Sequence, residues 1–144
     1  MLIGEHRHTL DTKKRLSLPS KFRKELGKTV VITRGLDTSL FVYSLKEWKK
    51  FSEEIGSLSM GQSDTRAFSR FMLGGAVETD IDSAGRILIP DFLKNFAGLE
   101  QKVVVLGLSH RVELWDEEKW NQYQSELAKK ADVLAEKLGE IGMI

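Results

Sequence analysis

The feature that most constrains the fold of this sequence is an internal repeat. Residues 11–19, DTKKRLSLP, return as DSAGRILIP at residues 82–90, 71 positions further along the 144-residue chain. The segments that follow also match: residues 30–32 with 103–105, residues 40–43 with 112–115, and Trp48 with Trp120. Small repeated units bury their hydrophobic faces by packing against each other. The sequence therefore predicts one fused, barrel-like domain that displays each repeated loop twice.

Each repeat has the same predicted order of elements, which is strand, polar turn, strand, short helix, strand, loop, strand and helix. Leu16 and Leu18 alternate with Arg15 and Ser17, the period of a half-buried strand. Pro19 lacks the N–H for a strand ladder and suits the first turn of a helix. The predicted strands cover residues 5–10, 15–18, 29–33, 40–43, 78–81, 86–89, 102–106 and 111–115, and the predicted helices cover 20–26, 44–55, 64–73, 90–96 and 117–138.

The repeats and the segment between them predict three parts of the chain. Residues 1–55 form the first unit, and residues 76–144 form the second unit with a long C-terminal helix. Residues 56–75 form a linker, because glycine and serine cluster at its start. The apolar spacing of residues 64–73 predicts an amphipathic helix embedded in this linker and packed against the units.

Composition excludes several classes of protein. The chain has no cysteine, which excludes disulfides, zinc–thiolate sites and thiol catalysis. No apolar run reaches the ~20 residues of a membrane span, and the first residues do not resemble a signal peptide. The three histidines, His6, His8 and His110, have no evident third metal ligand or nucleophile beside them. We therefore expect a cytoplasmic protein that is not an enzyme and needs no metal or other cofactor.

Charge is distributed unevenly along the chain. Residues 1–51 contain 12 Lys and Arg against 5 Asp and Glu, whereas residues 52–144 contain 10 against 16. Such an asymmetry indicates a polyanionic partner for the basic half. The alternative is that two solvated surfaces of opposite charge neutralise each other across a contact.

The repeated Asp-x-x-x-Arg motif has two interpretations. An aspartate at the start of a tight turn accepts hydrogen bonds from backbone N–H groups further on, and the arginine that opens the returning strand lies within reach of it. Asp11 with Arg15, and Asp82 with Arg86, are therefore predicted to clamp each hairpin. The same pairing orients the arginine for binding to phosphate or guanine, because less side-chain entropy is lost on contact.

Neighbouring charges favour the first turn as the binding element. Lys13, Lys14 and Arg15 are contiguous, and Arg7 is predicted on the partner strand. A β-ribbon tip is narrow enough to enter the major groove of DNA, where Arg15 is the predicted base-reading residue. No comparable cluster is visible around Arg86, which is therefore expected to contribute less or to support the fold. Further basic residues follow the first turn at Lys21, Arg23, Lys24 and Lys28.

These residues resemble the MraZ family. That family has two Asp-x-x-x-Arg motifs in tandem, each running into a hydrophobic-x-hydrophobic-Pro strand end, as at residues 11–19 and 82–90. The residues Val112-Glu113-Leu114-Trp115 after Gly107 are also similar, and the likeness covers essentially the whole chain. The resemblance implies an α+β protein with an AbrB-like swapped-hairpin β-barrel and peripheral helices. It identifies Arg15 and Arg86 as the motif arginines and Asp11 and Asp82 as their carboxylate partners.

The functional implications of the resemblance are also specific. It implies a cytoplasmic, nucleoid-associated transcriptional regulator that binds double-stranded DNA as a ring-shaped homo-oligomer, octamer-like, at short tandem repeats upstream of its own operon. That operon is the division and cell-wall gene cluster. Together with the charges around the first turn, the resemblance gives Arg15, Lys13, Lys14, Arg7 and Arg86 as the expected DNA-binding residues.

One residue departs from the family pattern, and two other functions remain open. Lys14 stands where the family usually has glycine, as at Gly85, so a positive φ there would place Lys14 under strain. The alternative functions are a protein-interaction module of antitoxin type and a small hydrolase. The first predicts a disordered acidic or apolar tail, and the second predicts a clustered base and nucleophile.

Overall fold

The computed structural model describes residues 1–143, and it confirms a mixed α+β fold. The elements follow one another in the predicted order, and the greatest differences are a first strand that begins three residues earlier and a seventh strand that ends three residues later than predicted. The strands are β1 (Leu2–Thr9), β2 (Arg15–Ser17), β3 (Thr29–Arg34), β4 (Leu40–Ser44), β5 (Val77–Asp80), β6 (Arg86–Leu88), β7 (Lys102–Ser109) and β8 (Val112–Asp116). The helices are α1 (Ser20–Leu26), α2 (Leu45–Gly56), α3 (Ser63–Gly74), α4 (Asp91–Ala97) and α5 (Glu117–Glu140).

The strands of the two repeats interleave. Six of them form an antiparallel sheet in the order β1-β7-β8-β4-β3-β5, and the other two form a separate ribbon, β2-β6. The first strand of each repeat pairs with the third strand of the other, β1 with β7 and β5 with β3. The ladders of β4 with β8 and of β2 with β6 also join the repeats, so the two halves cannot separate without breaking four strand ladders, which accounts for one shared core.

Two expectations about strand pairing are not met within residues 1–143. The closed swapped-hairpin barrel is not confirmed, because the six-stranded sheet is open with β1 and β5 at its edges. The strands that flank each turn do not form a hairpin ladder with each other, and the N–H of Asp11 donates to the carbonyl of Arg15 to close the turn. Burial explains the difference, since Leu16 and Ile87 lie on the ribbon's inner face and are fully buried in the core shared by both repeats.

Both faces of the sheet are covered, so its four inner strands, β7, β8, β4 and β3, are nearly continuous apolar runs. One face packs against the ribbon, α1 and α4, and includes Val30, Ile32, Val103 and Val105. On the opposite face, α2 and α3 cover one half of the sheet, and α5 covers the other half. The residues of the opposite face are Phe41, Tyr43, Ile55 and Met72 under α2 and α3, and Val104, Trp115 and Trp120 under α5.

Local signals place the helices that cover the sheet. The hydroxyl of Ser44 accepts a hydrogen bond of 3.2 Å from the N–H of Glu47, which caps α2 as predicted. The linker helix α3 is anchored to the sheet, because the hydroxyl of the buried Thr33 donates to the carbonyl of Met72 at 2.6 Å. None of the helices in the described part of the chain is long and apolar enough to cross a membrane.

Candidate nucleic-acid interface

The first Asp-x-x-x-Arg turn is organised by the carboxylate of Asp11. Its Oδ1 accepts hydrogen bonds from the N–H of Lys13 and the N–H of Arg15, both at 2.9 Å. Its Oδ2 accepts a hydrogen bond of 2.8 Å from Nε of Arg15. The aspartate thus fixes both the backbone of the turn and the direction of the arginine side chain.

The second turn has the same geometry. Oδ1 of Asp82 accepts from the N–H groups of Ala84 and Arg86 at 3.0 and 2.9 Å, and Oδ2 accepts from Nε of Arg86 at 3.0 Å. The clamp predicted from the sequence is therefore present in both repeats. In each, the only guanidinium nitrogen in a hydrogen bond or ion pair among residues 1–143 is Nε. Both Nη groups of Arg15 and of Arg86 are available to a ligand.

The hydrogen bonds also shift the acidity of the two aspartates. The backbone N–H of Arg15 is the main cause that lowers the pKa of Asp11 below its ordinary value of 3.8, and the arginine side chain and the N–H of Lys13 lower it further. The pKa of Asp82 is lowered in the same way by Arg86 and Ala84. Partial burial opposes both shifts without cancelling them. Each carboxylate therefore stays ionised at neutral pH and keeps its arginine oriented.

The ribbon brings the two arginines to one surface. β2 and β6 are antiparallel, with Arg15 opposite Leu88 and Ser17 opposite Arg86. Directly paired residues of a ladder point to the same side, so these four side chains share the outer face. Arg15 and Arg86 are diagonal neighbours, which places their α-carbons about 7–8 Å apart. Their side chains are 32% and 31% exposed. We call this surface the ribbon face.

The fourth residue of each turn adopts a left-handed backbone conformation. φ is +81° at Gly85 and +61° at Lys14. The strain expected at Lys14 is thus located in the backbone, because only glycine takes a positive φ without steric cost. The side chain of Lys14 forms an ion pair with Asp91 at the start of α4. Its charge is therefore already partnered within the chain.

The expectation that the second turn lacks cations is wrong in one respect. Arg23 of α1 lies across Gly85, and its guanidinium occupies the place where a Cβ would stand. The sequence assigns Arg23 to the surroundings of the first turn, yet the interleaved strands carry α1 of the first repeat over the second turn. Glycine at position 85 is what leaves room for the guanidinium.

The predicted binding residues do not all lie together. Lys13 is exposed at the first turn, beside Arg15 on the ribbon. Arg7 is on the opposite side of the sheet, because it pairs in register with Val104, which packs under α5. There it contacts Glu5, Glu117 and Asn121. The structure therefore groups Lys13, Arg15 and Arg86 with Arg23, and separates Arg7 from them.

The histidines on β1 lie in packed or partly buried surroundings. His6 packs edge-on against Phe22, with ring centroids 5.1 Å apart. Burial, followed by the neighbouring His6, lowers the pKa of His8, so this residue is largely neutral at pH 7. Across residues 1–143, no three His, Cys, Asp or Glu side chains are grouped to hold a metal ion.

Comparison with known proteins gives consistent matches over the whole chain. The family model described as "MraZ protein, putative antitoxin-like" matches twice, at residues 1–71 and 72–138. A protein of Natranaerobius thermophilus named transcriptional regulator MraZ is 48% identical over 96% of this chain and 96% of its own length. A protein of the same name from Caldanaerobacter subterraneus is 48% identical over 97% of this chain and 95% of its own length. Another, from Acetivibrio thermocellus, is 45% identical over 99% of this chain and 100% of its own length.

Among solved structures, the likeness is weak. The solution structure of PHS018 from Pyrococcus horikoshii is 11% identical, with a TM-score of 0.32 over 79% of this chain and 88% of its own. A likeness at that level carries no argument about this fold.

Proposed function

Because this chain belongs to the MraZ family, whose similar members are named transcriptional regulators, we propose that it regulates transcription by binding double-stranded DNA through the ribbon face. The observation that carries the proposal is the placement of Arg15 and Arg86. They come from different repeats, are diagonal neighbours on one partly exposed face, and each guanidinium is held by an aspartate through Nε alone.

The chemistry of a guanidinium held in this way suits DNA. Arginine presents its donors in a planar fork, which forms paired hydrogen bonds with a phosphate or with O6 and N7 of guanine. A side chain already oriented by a carboxylate loses less entropy when it binds. A two-stranded ribbon is narrow enough for the major groove, where base edges are distinguishable. Arg15 and Arg86 are the proposed base-reading residues, and Lys13 and Arg23 are the proposed phosphate contacts.

The clamp and the binding role are compatible in this arrangement. Asp11 and Asp82 hold the turns through backbone N–H groups, while the arginine Nη groups remain unused within the described chain. The aspartates also repel phosphates, which directs the DNA backbone towards the cations on either side of them. One structural device therefore supports the fold and positions the binding groups.

The family resemblance extends the proposal to assembly and targets. A single ribbon face covers few base pairs, so one subunit is expected to bind weakly, with a Kd of about 10⁻⁴ to 10⁻⁶ M typical of non-specific contacts. Several copies in a ring on spaced repeats make the later contacts intramolecular, which adds on the order of 10²- to 10⁴-fold in avidity. The proposed targets are short tandem repeats upstream of the protein's own operon, the division and cell-wall gene cluster. The proposed location is the nucleoid, within the cytoplasm.

The competing function is a protein-interaction module of antitoxin type. That function expects a tail which becomes ordered only on a partner. Here α5 is a regular helix from Glu117 to Glu140, and Asp116 caps its first turn. The described C-terminal segment therefore gives less support to the antitoxin interpretation than to a self-contained DNA-binding protein.

A salt titration tests the proposal. Fluorescence anisotropy is measured on labelled duplexes carrying the upstream region of the operon and on shuffled duplexes of the same length. We expect tighter binding to the upstream duplex, and a linear fall of log K with log salt at about −0.9 per phosphate contact. Lys13→Ala should weaken both duplexes alike and flatten the slope by about one unit per bound subunit. Equal affinity for both duplexes, or no dependence on salt, would refute DNA recognition by this face.

A further inference from the structure

The outer half of α5 presents an apolar helix face that no other element within residues 1–143 covers. A helix of 24 residues is about 36 Å long. Its first turns are packed, since Trp120 is 7% exposed and its ring lies 5.2 Å from that of Trp115. From residue 128 to residue 143 every described residue is exposed, although Leu134, Leu138 and Ile141 are large and apolar.

The spacing of these residues defines a single face. Leu127, Ala131, Leu134, Leu138 and Ile141 follow one another at alternating steps of four and three residues. That is the heptad pattern by which one helix packs against another element. We call this face the α5 stripe. An exposed apolar stripe of four turns indicates a partner surface.

A matching groove lies between α2 and α3. It is a cleft of about 440 Å³ whose apolar lining combines Phe41, Tyr43, Phe51, Phe68 and Met72. Phe68 is 37% exposed, and Leu36, at one end of the cleft, is 52% exposed. Residues of α5 do not line this α2–α3 groove, because α5 covers the other half of the sheet.

Charges beside the stripe match charges beside the groove. Lys130 and Lys137 flank the α5 stripe seven residues apart, and Glu47 and Glu54 border the α2–α3 groove at the same spacing. Seven residues of helix span about 10.5 Å, so both glutamates can meet both lysines when two helices lie alongside. Two cations and a histidine also line the groove: Lys50 pairs with Glu47 at 3.4 Å, His110 lies 3.7 Å from Glu47, and Arg111 pairs with Glu113 at 2.8 Å.

Pairing of two α5 helices with each other fits the charges less well. In an antiparallel pair, the flanking positions of the same type face each other, which would bring Lys130 and Lys137 of both copies together. Like charges at such positions oppose association. The groove of a second copy therefore suits the stripe better than a second stripe does.

We propose that the α5 stripe of one copy docks into the α2–α3 groove of the next copy. This inference rests on the proposed homo-oligomer and identifies the surfaces that build it. Each copy then presents one stripe and one groove, which is a head-to-tail interface. Repetition of such an interface produces a ring when the rotation between copies closes.

The test measures the mass of the full chain by size-exclusion chromatography with light scattering. Leu134→Asp should convert an assembly into the 16.3 kDa monomer at concentrations where the unmodified protein is fully assembled. Val133→Asp is the matched control, because Val133 is also exposed and apolar, at 51%, but lies beside the stripe. Its assembly should be unchanged. Both side chains are exposed on a helix, so neither change should unfold the domain.

Charge reversal identifies the occupant of the groove. Lys130→Glu with Lys137→Glu, or Glu47→Lys with Glu54→Lys, should each raise the dissociation constant of assembly at least tenfold, and the combination of all four should restore it. If the two lysine substitutions abolish assembly and the addition of the two glutamate substitutions does not restore it, docking of the stripe in the groove is wrong. Unchanged mass in Leu134→Asp would overturn the role of the stripe.

Failure of this inference is distinguishable from failure of the proposed function. DNA binding by a protein whose assembly does not depend on α5 refutes the interface and leaves DNA binding intact. Assembly through α5 without any affinity for duplex DNA supports the interface and refutes the proposed function.

Discussion

Replacing Arg86 with alanine should weaken DNA binding as much as replacing Arg15. The sequence suggests that the second turn contributes less, whereas the ribbon places both arginines on one face with 31% and 32% exposure. Each guanidinium has five N–H donors, and the aspartate takes only the one on Nε. Four donors per arginine thus remain for the DNA, enough for one bidentate contact.

The magnitude follows from that contact. Loss of one bidentate arginine–base pair costs about 1–3 kcal/mol, which corresponds to a roughly five- to 150-fold rise in Kd for each engaged subunit. Because the two sites have matching geometry, the Kd values of Arg15→Ala and Arg86→Ala should agree within roughly threefold, or about 0.6 kcal/mol. Lysine at either position should retain most of the salt dependence and lose the preference for the operator, since it binds as a point charge.

The assay is anisotropy on a short duplex with a single binding site, which removes avidity from the comparison. Arg70→Ala is the matched control, because Arg70 is an exposed arginine on α3, away from the ribbon. Circular dichroism and the mass of each variant confirm that fold and assembly are unchanged. An Arg86→Ala protein that binds with the unmodified Kd, while Arg15→Ala is impaired, would refute a two-arginine binding face.

Three further predictions concern the fold that supports this face. Gly85→Ala should lower the free energy of unfolding by about 1–2 kcal/mol in urea, because φ is +81° there; an unchanged midpoint would contradict the left-handed turn. Asp11 and Asp82 have lowered pKa values in the folded state, so their stabilising effect is complete above pH 3.8 and is lost as the pH falls through the folded values. Replacing both aspartates with asparagine should make the free energy of unfolding fall less steeply as the pH is lowered through this range. An unchanged pH dependence would contradict the stabilising role of the two carboxylates. Leu16→Ala and Ile87→Ala should each lower the free energy of unfolding by about 2–5 kcal/mol, with one cooperative transition for the whole chain, whereas two separate transitions would argue against a shared core.

The sequence predicts the elements of this fold because the apolar periods and turn residues are local signals. Alternating Leu16 and Leu18, the Ser44 cap and the Asp-x-x-x-Arg turns each depend on a few neighbouring residues, and each is present in the structure. The ends of the strands are harder to predict from the sequence. The strand predicted at residues 102–106 continues through Gly107 to Ser109, and glycine is required at 107 because a Cβ would stand 2.6 Å from the backbone of Ile3 in β1.

Strand partners and the full binding face depend on contacts between repeats, which local patterns do not encode. Arg7 precedes the first turn by a few residues but faces α5, because the ladder of β1 with β7 determines its side of the sheet. Arg23 lies near the first turn in sequence and over the second turn in space, because α1 crosses between the repeats. In both cases the interleaving of strands, rather than distance along the chain, decides which cations lie together.

Site-specific crosslinking tests most directly whether the ribbon face meets DNA. The natural chain has no cysteine, so a photoreactive group can be attached to a single introduced one. Ser17→Cys places it between Arg15 and Arg86 on the outer face, and Ser125→Cys places it on exposed α5. We predict strong crosslinking to the operator duplex from position 17 and little from position 125. Crosslinking from position 125 but not from position 17 would contradict the account.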